Sequence, residues 1–208
     1  MSDRLSRREF VARSALYGGA VWAGLSLPRP ETLRAAASST DPVTFDREQW
    51  QLVEALTARI IPTDHQPGAR EANCVNFIDK ALAHEDAQAR PVYQLGLAGV
   101  ELASAKRHSK RFVELSEAEQ DALLVGFETG TAEGWPKPPT PSIPSPVFFE
   151  TLRAQTLIGF LAEPRYGGNH DYAGWRVTGH PGPRHHAGGY TPAQMLGEAP
   201  IRPVWEKG

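Results

Sequence analysis

Glycine and proline are distributed so unevenly that they divide this chain at Ala162. Residues 163–208 contain nine of the nineteen glycines and six of the eighteen prolines, a density that excludes long helices. Five aromatic residues nevertheless recur at positions 166, 172, 175, 190 and 205, whereas disordered segments are poor in aromatics. We therefore expect an ordered, extended arm that lies on the protein's own helices or on another protein. A disordered tail is the alternative.

Upstream of this arm, apolar residues recur at helical spacing. The capping pairs Asp46–Gln49 and Ser116–Glu119 predict the starts of two helices, and Pro62 predicts the end of the first. Further helices are predicted over about residues 69–84, over about residues 91–107, and after Ser145–Pro146 as a cap. In the helix over about 91–107, the residues predicted to face inward are Val92, Leu95, Gly99 and Leu102.

No stretch shows sustained alternation of apolar and polar residues, so almost no sheet is expected. The connector 134–146 contains six prolines and cannot be helical throughout. The predicted fold class is therefore all-α, a compact bundle of about five helices over residues 38–162, followed by a long Gly/Pro/aromatic-rich extended C-terminal arm over residues 163–208.

The first 37 residues have the layout of a twin-arginine export signal. Its elements are the pair Arg7–Arg8 with Phe10, an apolar stretch over residues 14–27, and Ala35 and Ala37 at an A-x-A cleavage site. The apolar stretch is too short to span a bilayer, which needs about twenty helical residues. An ordinary secretory signal is the alternative. The twin-arginine route carries folded proteins, so such a chain folds around a cofactor or travels with a partner that does.

Charge and hydropathy restrict the partners of the processed chain. Without residues 1–37, the protein has sixteen basic and twenty-one acidic residues. Nucleic acids and anionic lipids are negatively charged and bind proteins that have a positive surface potential, so neither is an expected partner. No later segment approaches eighteen consecutive apolar residues, so no membrane span of its own is expected after cleavage.

Cys74 is the only cysteine in the chain. One thiol cannot form an internal disulfide, and it cannot hold an iron–sulfur cluster or a c-type haem. We expect Cys74 to be a small buried hydrophobic residue on the second helix, with an intersubunit disulfide as the alternative. Any redox centre used with this chain would therefore belong to another protein.

The sequence contains no familiar catalytic motif, such as G-x-S-x-G, a Walker loop or H-E-x-x-H. Asp64 and Glu71 flank a turn and are expected to be cap and turn residues rather than an acid/base pair. The spacing of the histidine-rich segment matches no rigid metal site, so no metal is predicted. The residues considered for such a site are His170, Asp171, His180, His185 and His186.

A more specific pattern links two distant parts of the chain. It consists of IIPTD at 60–64 and PGA at 67–69, then TLIGFLAEPRYGGN at 156–169, Gly174–Trp175, and GHPG at 179–182. The downstream run predicts a helix stopped by Pro164 and a Gly-Gly-Asn turn that can adopt positive φ. Such a stiff, aromatic loop is suited to docking. The candidate partner-binding residues are Tyr166, Gly167, Gly168, Asn169 and Trp175.

This pattern resembles the gluconate 2-dehydrogenase subunit 3 family over about residues 45–190. The resemblance implies a non-catalytic small subunit of a membrane-associated, FAD-dependent sugar or sugar-acid dehydrogenase. FAD would lie in a large flavoprotein subunit of the glucose–methanol–choline type, and a cytochrome c subunit often carries haem. The resemblance assigns no cofactor and no catalytic residue to this chain. The connector 134–146 and the stretch around His185 look individual to this chain, so the partner surface stays undetermined.

The same resemblance implies that the small subunit helps the flavoprotein mature and cross the membrane through the twin-arginine translocon. The expected location is then periplasmic, at the inner membrane through the complex. The rival interpretations are an independent periplasmic enzyme or metal-binding protein that uses the histidines, and a solitary ligand-binding helical domain.

Overall fold

A computed structural model of the protein describes residues 41–180 and 191–199. All regular secondary structure in these ranges is helical and no strand forms in them, which confirms the all-α class. The helices are α1 (Arg47–Ile60), α2 (Cys74–Ala83), α3 (Arg90–His108), α4 (Glu117–Thr129), α5 (Ser145–Leu161), α6 (Ala173–Thr178) and α7 (Pro192–Met195). Single 3-10 turns lie at Ala87–Ala89, Phe112–Glu114, Pro164–Tyr166 and His170–Tyr172.

Several predicted residues lie outside the described ranges. They are the signal residues Arg7, Arg8 and Phe10, the cleavage-site residues Ala35 and Ala37, and the histidines His185 and His186. Within residues 41–180 and 191–199, no helix is both long enough and apolar enough to cross a membrane.

Local capping signals set the starts of α1 and α4 as predicted. The Asp46 side chain accepts from the Gln49 N–H at 2.8 Å, and the Gln49 side chain accepts from the Asp46 N–H at 3.1 Å. Ser116 and Glu119 form the same reciprocal capping box. Such boxes satisfy N–H groups that lack an intrahelical partner.

Two predicted helix starts are wrong. The helix expected from residue 69 begins at Cys74, because residues 70–73 form turns and Asn73 adopts a left-handed φ of 54°. Ser145 is the first residue of α5 rather than its cap, and Pro144 occupies the N-cap position without a side-chain hydrogen bond.

The predicted inward face of α3 is also partly wrong. Leu102 is 51% exposed, whereas Val100 and Ala103 are fully buried. The interface forms through small residues, since a Cβ at Gly96 would lie 2.5 Å from a ring carbon of Phe148. Because α3 approaches Phe148 of α5 closely at Gly96, the next turn of α3 faces the core through its small residues and Leu102 faces outward.

Helix α5 is the centre of the bundle, because it contacts α1, α2, α3, α4 and α6. The main core includes the fully buried side chains Val53, Leu56, Ile78, Val100, Phe112, Phe127, Phe148 and Leu152. A second, smaller cluster joins Ile61, Ala69, Ala72, Cys74, Phe160 and Ala173. This second cluster holds the start of α2, the end of α5 and α6 together, and it carries the candidate site.

Candidate partner-binding surface

Residues 163–180 leave α5 and fold back onto the bundle, a more compact form than the extended arm expected for this part of the chain. The Asn76 side-chain amide donates to the carbonyl oxygen of Gly167 at 2.7 Å. The backbone N–H of His170 donates to the carbonyl oxygen of Ala72 at 3.1 Å. The segment is therefore fastened both to α2 and to the turn that precedes it.

Two glycines of the specific pattern allow backbone to pack on backbone. A Cβ at Gly168 would lie 2.9 Å from the Gly159 carbonyl carbon, and its carbonyl oxygen would be nearer still. A Cβ at Gly174 would lie 2.8 Å from the carbonyl carbon of Phe160. Real Cβ atoms do not approach backbone this closely, so both positions require glycine for the fold itself.

Asn169 joins the end of α5 to the start of α6. Its side chain is fully buried, its amide donates to the Ala162 carbonyl at 2.8 Å, and its Oδ1 accepts from the Gly174 N–H at 2.9 Å. Its own backbone N–H donates to the Gly159 carbonyl at 2.7 Å. Asparagine tolerates the left-handed φ of 46° found here. All these partners are within the chain.

Trp175 is also held inside the protein. The residue is 4% exposed, and its indole N–H donates to the Leu161 carbonyl at 2.7 Å. The Tyr172 ring stacks on the indole at a centroid distance of 5.5 Å, and the His180 ring meets it edge-on at 4.9 Å. Burial lowers the pKa of the His180 imidazole. The indole therefore acts as an internal anchor for the rings around it.

The outward side of this segment carries polar and half-buried aromatic side chains. The Arg165 guanidinium lies 5.1 Å from the Tyr166 ring centroid, a cation–π geometry, and its Nε lies 2.6 Å from Glu163. His170 and Asp171 are exposed, and Tyr166 and Tyr172 are half-buried. We call Arg165, Tyr166, His170, Asp171 and Tyr172 the aromatic surface.

Backbone strain concentrates at the same place. Asp171 and Tyr172, neither of them glycine, adopt left-handed φ angles of 51° and 58°. Each such residue costs about 1–2 kcal/mol, and this strain persists only where surrounding contacts impose it. The stack of Tyr172 on Trp175 is one such contact. A strained, exposed loop on a rigid scaffold is typical of functional surfaces.

The five predicted partner-binding residues thus divide into two groups. Tyr166 and Gly167 keep part of their surface accessible, whereas Gly168, Asn169 and Trp175 are buried within the chain. Sequence reasoning missed the other four residues of the aromatic surface, which are Arg165, His170, Asp171 and Tyr172. The only signal for them in the sequence was the recurrence of aromatic residues that includes Tyr172.

Away from this segment, a concavity of about 430 Å³ lies between α1, the loop after it and α4. Arg59 crosses it and pairs with both carboxylate oxygens of Asp121 at 2.8 and 2.9 Å and with Glu117 at 2.8 Å. The hydrogen bond to Asp121 is the main cause that raises the pKa of Arg59, and burial opposes it. The charges here are paired with each other.

Asp64 and Glu71, in the loop between α1 and α2, have the turn roles predicted for them. Asp64 accepts from the Gln66 N–H at 2.8 Å. Glu71 accepts from the Thr63 hydroxyl at 2.6 Å and from the Gly68 N–H at 2.8 Å. Burial raises the pKa of Glu71, but these hydrogen bonds outweigh it and leave the pKa lowered. The two carboxylates hold one loop in shape.

Cys74 is fully buried, as expected, with its thiol 3.6 Å from the carbonyl oxygen of Thr156. Burial raises the pKa of this thiol, which disfavours the reactive thiolate. Over residues 41–180 and 191–199, no three His, Cys, Asp or Glu side chains are grouped so that they could hold a metal ion.

Comparison with known proteins gives one match. The sequence profile of the family described as Gluconate 2-dehydrogenase subunit 3 matches residues 47–182, which includes α1 to α6 and the 163–180 segment. Searches of curated proteins and of solved structures found no match.

Proposed function

The chain belongs to the gluconate 2-dehydrogenase subunit 3 family, and from this premise we propose that it is the non-catalytic small subunit of an FAD-dependent dehydrogenase complex. In this proposal it binds the flavoprotein subunit, helps it mature, and accompanies it through the twin-arginine translocon. The complex then lies on the periplasmic side of the inner membrane, with FAD in the large subunit and, where a third subunit is present, haem c in a cytochrome.

The observation that carries the proposal is the extent of the family match, which spans nearly the whole folded unit. The polar side chains support it as well. Asp64 and Glu71 are used in a turn, and Cys74 is buried with a raised pKa. These side chains are therefore engaged in the fold rather than arranged for catalysis.

We assign the contact with the flavoprotein to the aromatic surface. Tyrosine and arginine are enriched among residues that dominate binding energy, and Tyr166 and Arg165 lie together on the outward side of a rigid segment. Replacing Tyr166 by alanine removes the ring without removing a core residue. The matched control is Val125→Ala, since Val125 is a 60% exposed apolar side chain on α4.

The first experiment is an affinity purification of the tagged chain from its native periplasm and membrane, with an absorbance spectrum of the eluate. We expect a larger chain and flavin absorbance to co-elute. Tyr166→Ala should reduce the co-eluting flavin while the melting temperature stays unchanged, and Val125→Ala should change neither. A colourless single chain under mild conditions would overturn the proposed partnership.

The second experiment tests export. The double variant Arg7→Lys, Arg8→Lys keeps the charge but removes the arginine pair, so we expect both subunits to stay in the cytoplasm. Arg13→Lys is the matched control, because it changes an arginine of the same signal outside the pair. Normal export of the flavoprotein in the double variant would count decisively against joint export.

A further inference from the structure

A single buried carboxylate fastens the first described residues of the chain to α2. Asp79 is fully buried and accepts from the backbone N–H groups of Val43 at 2.6 Å, Thr44 at 2.9 Å and Phe45 at 2.7 Å. The Thr44 hydroxyl also donates to the backbone carbonyl of Asp79 at 2.9 Å. We call these four contacts the Asp79 clamp.

The clamp couples the start of the domain to the folding of α2. A buried carboxylate is costly unless hydrogen bonds satisfy it, and three of those donors come from residues more than thirty positions earlier. Conversely, residues 43–45 have this acceptor only when α2 is helical and in place. Phe45 adds to the coupling, since it is 7% exposed and its ring lies 5.7 Å from that of Tyr93.

The clamp lies close in sequence to the predicted export signal. The cleavage site predicted after Ala37 precedes Val43 by only five intervening residues, which span at most about 18 Å when fully extended. The export signal is therefore attached within about 18 Å of the clamp. When the clamp opens, Phe45 and the side of α2 that it covers become accessible next to the signal.

We propose that the Asp79 clamp is a folding checkpoint at the junction of signal and domain. This inference rests on the proposed export by the twin-arginine route. A closed clamp fixes the junction to a native α2 and keeps apolar surface away from the signal. An open clamp presents the signal together with exposed apolar chain, which marks the domain as unfolded, and export of that molecule fails.

The test uses the full-length chain expressed with its partner, and it compares Asp79→Asn with the milder variant Val43→Pro. Asparagine presents an N–H₂ group where Oδ2 accepts from Val43. Of the three donors, proline at position 43 removes only the Val43 N–H, while it also fixes φ there. Val43 is 59% exposed, so the variant keeps its core intact. Glu128→Gln, which removes one exposed carboxylate from α4, is the matched control.

Two quantities are measured: hydrogen exchange of the Thr44 and Phe45 amides in the exported protein, and the exported fraction of the full chain. One lost hydrogen bond to a carboxylate should accelerate exchange by about tenfold or more. We expect the exported fraction to be highest for Glu128→Gln, lower for Val43→Pro and lowest for Asp79→Asn.

Normal export of Val43→Pro despite accelerated exchange would overturn the checkpoint, and so would unchanged exchange in that variant. If Asp79→Asn does not fold, Val43→Pro alone decides. The arginine-pair variant separates the two proposals. If export persists without the arginine pair, the proposed route is overturned. If the arginine-pair variant is not exported but Val43→Pro is exported normally, only the checkpoint is overturned.

Discussion

Replacing Gly168 by alanine should destabilise the folded protein by about 3 kcal/mol or more. The added Cβ would lie 2.9 Å from the Gly159 carbonyl carbon and closer still to its oxygen, in the middle of the last turns of α5. Helical backbone cannot move aside as a flexible side chain can. The 167–169 turn must therefore shift away from α5, and overpacking of this kind costs about 1–3 kcal/mol.

The shift also weakens the hydrogen bonds of Asn169 to Gly159, Ala162 and Gly174. Each contributes about 1 kcal/mol, and the buried side chain has no water to replace them. For a chain of this size, 1 kcal/mol corresponds to about 2–4 °C in melting temperature, so Gly168→Ala should lower it by about 6–12 °C.

Gly179→Ala is the matched control for this prediction. Gly179 has a φ of 71°, and nothing lies within 4 Å of the position that its Cβ would take. Both substitutions reduce the freedom of the unfolded chain equally, so the control isolates the left-handed backbone cost, about 1–2 kcal/mol. Thermal unfolding of the two purified variants is followed by circular dichroism. Equal melting temperatures would refute the backbone contact between Gly168 and α5.

Two further predictions concern buried side chains. Trp175→Phe leaves the Leu161 carbonyl without its donor, so urea unfolding should show a free energy of unfolding lower by about 1–3 kcal/mol. The folded fraction should still co-purify with flavin. Loss of flavin without loss of stability would instead make Trp175 a contact residue. Cys74 should resist alkylation at pH 8 until urea unfolds the chain, and rapid labelling of the native protein would contradict its burial. Because the folded pKa of this thiol is raised, stability should be lost as pH rises above the unfolded value of about 8.5. Cys74→Ala should remove the part of the loss that begins there, whereas the buried Tyr93, whose pKa is also raised, contributes at higher pH.

Features that depend on short-range geometry could be predicted from the sequence. The Asp46–Gln49 and Ser116–Glu119 boxes need only residues three positions apart, and both formed as expected. The start of α2 could not be predicted in this way. Asn73 adopts a left-handed conformation, and no local pattern separates this asparagine from one inside a helix.

Packing between distant segments explains the other differences. Leu102 has the spacing of a core residue, but α3 meets its neighbours through glycines, and Gly96 fits against Phe148. Trp175 could equally have served a partner or its own chain. Its burial depends on the end of α5, where the Leu161 carbonyl accepts from its indole. Which surface an aromatic residue covers is a long-range property that composition does not contain.

The covering of α2 limits where a partner can bind. Eight of its ten residues are buried, since α5 and α1 pack against it and residues 43–45 and Gly167 cover it further at Asp79 and Asn76. A flavoprotein that docks on this side of the bundle must therefore contact these two covering segments rather than the helix. Both segments take their places only on a folded α2, so the small subunit must fold before it presents the aromatic surface. That order of events, with folding first and assembly second, is the order that the proposed export of a folded complex requires.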